Sequence, residues 1–335
     1  MNLVAFLQPS HGRVSWRNAA LLGAAGLAAS AVVVHYLSRR AESRHRAIGK
    51  FITIGKTTIH YVERGSGPPV VLLHGNGGMV DELQASGLIA QLAENHRVIA
   101  LDRPGFGLST RPDREWDAEQ EAQLLLSLMH QLRLERPVIV AHSWSTLAAL
   151  NLALDEPDAI SGLVLVAGYY YPTTRVDTMI QRIVAVPVIG DLLRHTLWPL
   201  ISRATAPLAF KKVFWPLQPT EAFLERYSVP MASRPSQLGA VADDTSSMPE
   251  AAARLSKRYG ELQMPVDLIT GTDDRIVTPS HHSRRLHREL HNSYLDEVPG
   301  AGHMVHHAHP QLIARRVEHV FERALQPVGA VRNTV

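Results

Sequence analysis

The chain has 335 residues, 45% hydrophobic and 19% charged, enough for one large core plus an insertion. A formal net charge of +3 with histidine neutral is too small to suggest a nucleic-acid partner. There is no cysteine, which excludes disulfides, a thiol nucleophile and cysteine-based metal sites.

Residues 1–18 read as a short tail. Residues 19–37 are almost wholly apolar, with His35 the one strongly polar member. About 20 apolar residues span a bilayer, so the length suffices. Tyr36 and the following Arg39-Arg40 suit a membrane interface. The 18 residues before the segment are long for a signal-peptide n-region, and His-Tyr-Leu-Ser-Arg-Arg is a poor cleavage site. The charged face of a soluble amphipathic helix is missing. The segment is expected to be an uncleaved single-pass anchor, followed by a basic linker over 38–50. Arg13 and Arg17 precede it, while Arg39, Arg40, Arg44, Arg46 and Lys50 follow it. The positive-inside rule then puts the folded domain on the cytoplasmic side.

Residues 51–63 read as two strands around a Gly-Lys turn. A buried strand, Pro69-Val70-Val71-Leu72-Leu73, runs into His74-Gly75-Asn76-Gly77-Gly78. Such a Gly-rich loop can leave backbone N–H groups facing a developing oxyanion. It matches neither G-x-x-x-x-G-K-[ST] nor G-x-G-x-x-G, so a phosphate cradle is disfavoured. A helix is expected over 79–94, then a strand over 97–101 entering Asp102-Arg103-Pro104-Gly105-Phe106-Gly107, read as a loop that shapes the site edge. Helices follow over 117–132 and 145–155, with strands over 138–142 and 160–167. This alternation indicates a mostly parallel sheet flanked by helices. Residues 169–262 interrupt it. They carry nine prolines from Pro172 to Pro249, each tending to end a helix, and many aromatic residues. They are expected to form a helical cap whose apolar residues shape a pocket. The alternation resumes at Val266, and the core is assigned to 51–168 and 263–325, with a tail over 326–335.

The most informative segment is Val138-Ile139-Val140-Ala141-His142-Ser143-Trp144-Ser145-Thr146-Leu147. An apolar strand enters a small-x-Ser-x-small turn and a helix leaves it, the context of a serine nucleophile elbow. Strand and helix backbones pass closely there, so flanking residues must be small. Ala141 and Ser145 stand where glycine is commoner. A hydroxyl is a poor nucleophile without an adjacent base, and an imidazole titrates near neutrality. His303 is the candidate base, at the end of Val298-Pro299-Gly300-Ala301-Gly302-His303. A carboxylate must hold its tautomer. Asp273 and Asp274 both follow the strand 266–271. Ser, Asp, His is the chain order of this triad, and each sits past the carboxyl end of a strand.

Taken together, His74-Gly75, Asp102-Arg103-Pro104-Gly105-Phe106-Gly107, His142-Ser143-Trp144, Gly271-Thr272-Asp273-Asp274-Arg275-Ile276-Val277 and Gly302-His303 resemble the α/β-hydrolase superfamily over residues 50–325. The resemblance implies a mostly parallel central sheet flanked by helices, with a helical cap insertion. Its Gly-x-x-Asp pattern selects Asp274 over Asp273 as the triad acid. It assigns the oxyanion hole to the backbone N–H groups of Asn76 and Trp144. It also implies that Ser143 excludes the relatives that use aspartate at the elbow, haloalkane dehalogenases and epoxide hydrolases. Acyl transfer on a small apolar ester, with no cofactor, is the expected reaction. C–C bond hydrolysis and perhydrolysis by the same triad remain open, as does a non-catalytic binding protein on this fold. His303, His306, His307 and His309 lack a matched metal-ligand pattern, and no metal is expected. His281, His282, His287 and His291, with Arg284, Arg285 and Arg288, are expected on a solvated helix face.

Overall fold

The computed structural model describes residues 16–112, 116–173 and 188–326. Eight strands form one sheet in the order β1-β2-β4-β3-β5-β6-β7-β8. They are β1 Lys50–Ile54, β2 Thr57–Arg64, β3 Pro69–Leu73, β4 Arg97–Leu101, β5 Val138–His142, β6 Gly162–Val166, β7 Val266–Gly271 and β8 Ser293–Val298. β1 and β2 pair antiparallel with each other, and β2 with β4; every other pairing is parallel. The central strands are continuous apolar runs because both faces are covered. Val71, Leu73, Ile99, Ile139 and Leu165 point into one core layer, and Val70, Leu72, Val98, Val140 and Val164 into the other.

The helix over 117–132 forms as Ala118–Gln131, started by a capping box between Asp117 and Gln120. The single helix expected over 79–94 is instead two, Val80–Ala85 and Leu88–Leu92. Gly87 lies between them at φ +79°, a left-handed conformation that ends one helix before the next begins. In the cap, helices Ile189–His195, Trp198–Phe214, Glu221–Arg226, Val229–Ala232 and Pro235–Leu255 follow one another. Pro207 and Pro249 lie inside two of them rather than at their ends. Tertiary packing there outweighs the one backbone bond a proline deletes. The cap residues 174–187, with Pro187, lie outside the described residues.

The apolar N-terminal segment is part of a longer helix, Trp16–Arg44, long and apolar enough to cross a membrane. The expected linker is thus helical as far as Arg44. The reason is packing on the cap: Val34 and Ala41 are buried, Ser30 Oγ donates to the Thr196 carbonyl at 2.9 Å, and Arg234 pairs with Glu42 at 3.1 Å.

Beside the end of this helix, Asp81 lies 3.5 Å from His45. Burial, reinforced by the charge of Asp102, pushes the Asp81 carboxyl up to about 7. The folded protein therefore holds a proton that the unfolded chain releases near 3.8. Stability from this site is present below about 4 and is lost as pH rises through about 7. Asp81→Asn is expected to match wild type near pH 4 and to gain up to about 4 kcal/mol by pH 8, read as a growing difference in Tm. A constant difference across that range would refute the assignment.

Candidate active site

The elbow stands at the carboxyl edge of β5. Ser143 has φ +57°, a left-handed conformation costing about 1–2 kcal/mol for a residue with a Cβ. The Ser143 N–H donates to the Val166 carbonyl at 2.9 Å, and the Ser143 carbonyl accepts from Thr146 Oγ1 at 2.6 Å. The departures from glycine are accommodated. Ala141 packs fully buried, and the Ser145 hydroxyl turns under the elbow, 2.9 Å from the His142 carbonyl and 3.1 Å from that of Leu73. Ser145 thus ties the elbow to the end of β3.

The structure brings Ser143, His303 and Asp274 together from three segments. His303 Nε2 is 3.0 Å from Ser143 Oγ, and its Nδ1 is 2.9 Å from Asp274 Oδ2. Asp274 Oδ1 accepts the N–H groups of Ile276 and Val277 at 2.7 and 2.8 Å, so the buried carboxylate has a fixed orientation. Asp273 instead accepts a hydrogen bond from Thr272 at 3.0 Å on the surface. Chain geometry separates the neighbours: Asp274 N–H turns back to the Gly271 carbonyl, which aims its side chain inward.

Asn76 and Trp144 both line the cavity beside Ser143. Among the described residues, neither backbone N–H is spent on a backbone acceptor. The loop His74–Gly78 approaches Ser143 closely because residue 75 is glycine. A Cβ there would lie 2.8 Å from His142 Nδ1 and 3.1 Å from Ser143 Cβ. The Asn76 side chain also ties this loop to the cap, donating from its amide to the Val241 carbonyl at 3.1 Å and to Thr245 Oγ1 at 2.9 Å. Asn76→Ala keeps the N–H but removes both hydrogen bonds to the cap. A loss of about tenfold in kcat/KM, ~1.4 kcal/mol, is expected. Thr245→Val should add little in that background, and full additivity of the pair would refute the coupling.

The cavity of about 470 Å³ lies between core and cap. Tyr169, Phe210, Val213, Phe223, Met248 and Val277 give it an apolar wall. A pocket of this size and character suits a small or medium apolar molecule.

Several participants were invisible in the sequence. Glu82, fully buried in the cavity wall, accepts hydrogen bonds from His306 and, at 3.0 Å, from His307. These three side chains present ligand-type atoms within 4.8 Å of one another, and both imidazoles face one carboxylate oxygen. Burial works against the Glu82 carboxylate, but the charge and hydrogen bond of His306, with His307, hold its pKa well below the usual range. The ring of His306 packs on His142, whose Nε2 lies 3.1 Å from the His303 carbonyl. Burial holds His142 neutral, so Nε2–H is the donor there. Glu82 thus braces the backbone of the candidate base through two histidines. Of the four histidines at 303–309, one faces the serine, two face Glu82, and His309 is exposed. Glu82 lies 224 residues away in sequence from His306, and no spacing signal connects them.

Arg103, read as part of an edge-shaping loop, is fully buried. It donates to Glu121 at 2.6 and 3.0 Å and to Asp244 of the cap at 2.7 Å. Its guanidinium lies 3.9 Å from the Trp144 ring centre, and Trp144 Nε1 donates to the Asp244 carbonyl at 2.8 Å. Its N–H donates to Nε2 of His74, whose Nδ1 is 2.8 Å from the Gly75 carbonyl. Burial, with the Arg103 charge, pushes His74 down to about 4, so it stays neutral. His282 also departs from expectation. It is buried, and its Nδ1 accepts the Tyr170 N–H at 3.0 Å, pinning the entry to the cap. Arg284 and Arg285 pair with Glu297 and Glu289 on the surface.

Comparison with known proteins agrees with this architecture. A family model described as the alpha/beta hydrolase fold matches residues 68–310. The chain belongs to the α/β-hydrolase family. An uncharacterised protein of Mycobacterium tuberculosis is 27% identical over 273 residues, covering 77% of this chain and 78% of that protein. Haloalkane dehalogenase 2 of the same species is 25% identical over 269 residues, covering 77% of this chain and 90% of the enzyme. Among solved structures, an alpha/beta hydrolase fold protein from Burkholderia ambifaria superposes with a TM-score of 0.67 at 22% identity, covering 82% of this chain and 97% of that one. This α/β hydrolase carries a long apolar helix ahead of the matched region.

Proposed function

We propose that this α/β hydrolase is a serine esterase that cleaves a small or medium apolar acyl ester. The carrying observation is the unbroken relay from Ser143 Oγ through His303 to a twice-anchored Asp274. Ser143 Oγ attacks the ester carbonyl while His303 Nε2 takes its proton. Asp274 holds the Nδ1–H tautomer and stabilises the imidazolium. The N–H groups of Asn76 and Trp144 bind the oxyanion of the tetrahedral intermediate. His303 returns the proton to the leaving alkoxide, which departs as alcohol. Water, activated by the same imidazole, then releases the acid from the acyl-serine. Halide displacement, the reaction in the mycobacterial relative's name, needs a carboxylate at the elbow, and the side chain there is Ser143. We also infer that helix Trp16–Arg44 is a membrane anchor, on the strength of its apolar length and the arginines at its C-terminal end.

The test is labelling of the full chain in detergent by a fluorophosphonate probe, followed by p-nitrophenyl esters of rising acyl length. Labelling of wild type, its absence in Ser143→Ala, and a rate optimum at short or medium chains are expected. Folded wild-type protein that neither labels nor turns over any ester would overturn the reading and favour a binding role.

A further inference from the structure

Helix Trp16–Arg44 does not stand free of the domain. Its inward stripe runs Leu27, Ser30, Ala31, Val34, Leu37, Ser38 and Ala41, the i, i+3, i+4, i+7 spacing of one helix face. That stripe leans on cap helices Ile189–His195 and Val229–Ala232. The hydrogen bond from Ser30 to Thr196 falls in the middle of the apolar segment, not at its end. From Leu37 back to Ser30 is seven residues, about 10 Å along a helix axis. A bilayer that receives this helix therefore reaches the cap residues beside it.

The cap is built for that contact. Val188, Ile189, Leu192, Leu197, Ile201 and Leu208 are 77%, 56%, 51%, 43%, 46% and 69% exposed. Helix Trp198–Phe214 presents apolar residues on its exposed face as well as on its buried one. Ile201, Ala204 and Leu208 face outward at i, i+3, i+7, while Pro199, Ala206 and Phe214 are buried. Scattered exposed apolar residues need no explanation, but six large ones between residues 188 and 208, interrupted by exposed Asp191 and His195 and beginning on the cap helix that packs against the apolar helix, do. Lys211 and Lys212, exposed, end the helix, and Arg39 and Arg40 are exposed on the anchor, placed to meet anionic headgroups. The same cap helix reaches the active site: Phe210 and Val213 line the cavity, and Ala209 and Lys212 are both exposed and cavity-lining, so they mark its rim.

We propose that the outward face of the cap, Val188 to Leu208, is embedded in the lipid bilayer together with the N-terminal helix, and that the cavity rim at Ala209 and Lys212 takes its ester from the membrane. This rests on the anchor assignment above. The interfacial depth of such surfaces is about 5–10 Å, which matches the position of Thr196 against the helix. The substrate class is then a lipid-dissolved acyl ester.

Absence of cysteine makes the test clean, because one introduced thiol is the only labelling site. Full-length Leu22→Cys, Leu192→Cys, Leu208→Cys and Glu156→Cys are labelled with an environment-sensitive fluorophore and reconstituted in phosphatidylcholine vesicles, with or without brominated lipid. Glu156, exposed, caps the end of helix Ser145–Asp155, opposite the end that starts beside Ser143 and outside the proposed face Val188 to Leu208. Quenching at 22, 192 and 208 and none at 156 is expected. Quenching at 22 alone would overturn this proposal while leaving the anchor intact. No quenching at 22 either would remove the anchor and the proposal together. A second measurement reads the entry route. Ile189→Asp/Leu192→Asp/Leu208→Asp should keep its rate on p-nitrophenyl acetate and lose at least tenfold on a medium-chain ester carried in vesicles. Equal rates on the vesicle substrate would refute entry from the membrane.

Discussion

Ser143→Ala is expected to lower kcat on a p-nitrophenyl ester by about 10⁵–10⁶-fold with little change in KM. Removing the nucleophile of a triad costs about 10⁶, because the remaining groups have no acyl acceptor to activate. The three residues act as a unit, so His303→Ala should cost about as much, and Ser143→Ala/His303→Ala hardly more than either alone. Asp274→Asn keeps the hydrogen-bonding shape but presents the wrong partner to His303 Nδ1, and a loss of about 10⁴ is expected. Additive losses in the double variant would mean that Ser143 and His303 work separately, against the 3.0 Å contact between them. Stability separates from activity at the same position. Ser143 holds a left-handed conformation that only glycine adopts freely. Ser143→Gly should therefore be as inactive as Ser143→Ala yet about 1 kcal/mol more stable, read as a higher denaturation midpoint. A destabilised glycine variant would show that the φ of +57° carries no strain.

Arg103→Met is expected to destabilise the protein by about 3–5 kcal/mol, the cost of breaking a buried ion pair from one side. Arg103 has no exposure, and neither do the Glu121 and Asp244 carboxylates it joins. Without the guanidinium, among the described residues Glu121 is buried with no cation, and Asp244 keeps only Arg111 at 2.9 Å. Arg103→Lys should recover little, because an ammonium cannot serve both carboxylates and lie on the Trp144 ring. The decisive variant is Arg103→Met/Glu121→Gln/Asp244→Asn. Removing the stranded charges should return at least half of the lost stability, since the penalty comes from unpaired carboxylates rather than from a missing attraction. No recovery would assign the loss to packing around Trp144 instead. Activity should fall with Arg103→Met as well. Asp244 belongs to cap helix Pro235–Leu255 and its carbonyl holds the Trp144 indole, so the cap and the elbow are positioned by the same network.

Local sequence carried much of this reading. Apolar β-branched runs such as Val138–His142 can only be buried strands once both faces are apolar, and a serine between such a strand and a helix is legible as an elbow. The resemblance that named Asn76, Trp144 and Asp274 drew on motifs that are each a few residues long. Short-range chemistry also located 117–132 and 79–94 as helical, though not the break at Gly87, where the choice depended on how the segment packs. Prolines misled in the cap, since Pro207 and Pro249 are held inside helices by contacts that a linear pattern does not contain.

What the sequence by itself determined was the order and type of elements around the sheet, the elbow serine and its histidine, and the apolar character of the first helix. Each rests on a pattern within about a dozen residues, where backbone periodicity alone decides the outcome. What only the tertiary structure decided was every relation between distant residues. The resemblance favours Asp274 over Asp273, but the 2.9 Å contact with His303 comes from the turn after β7, which aims that side chain inward. Glu82 meets His306, Arg103 meets Asp244, and the apolar helix meets the cap at Ser30 and Thr196. Such contacts join segments more than a hundred residues apart, and buried charges take whichever partner the fold delivers.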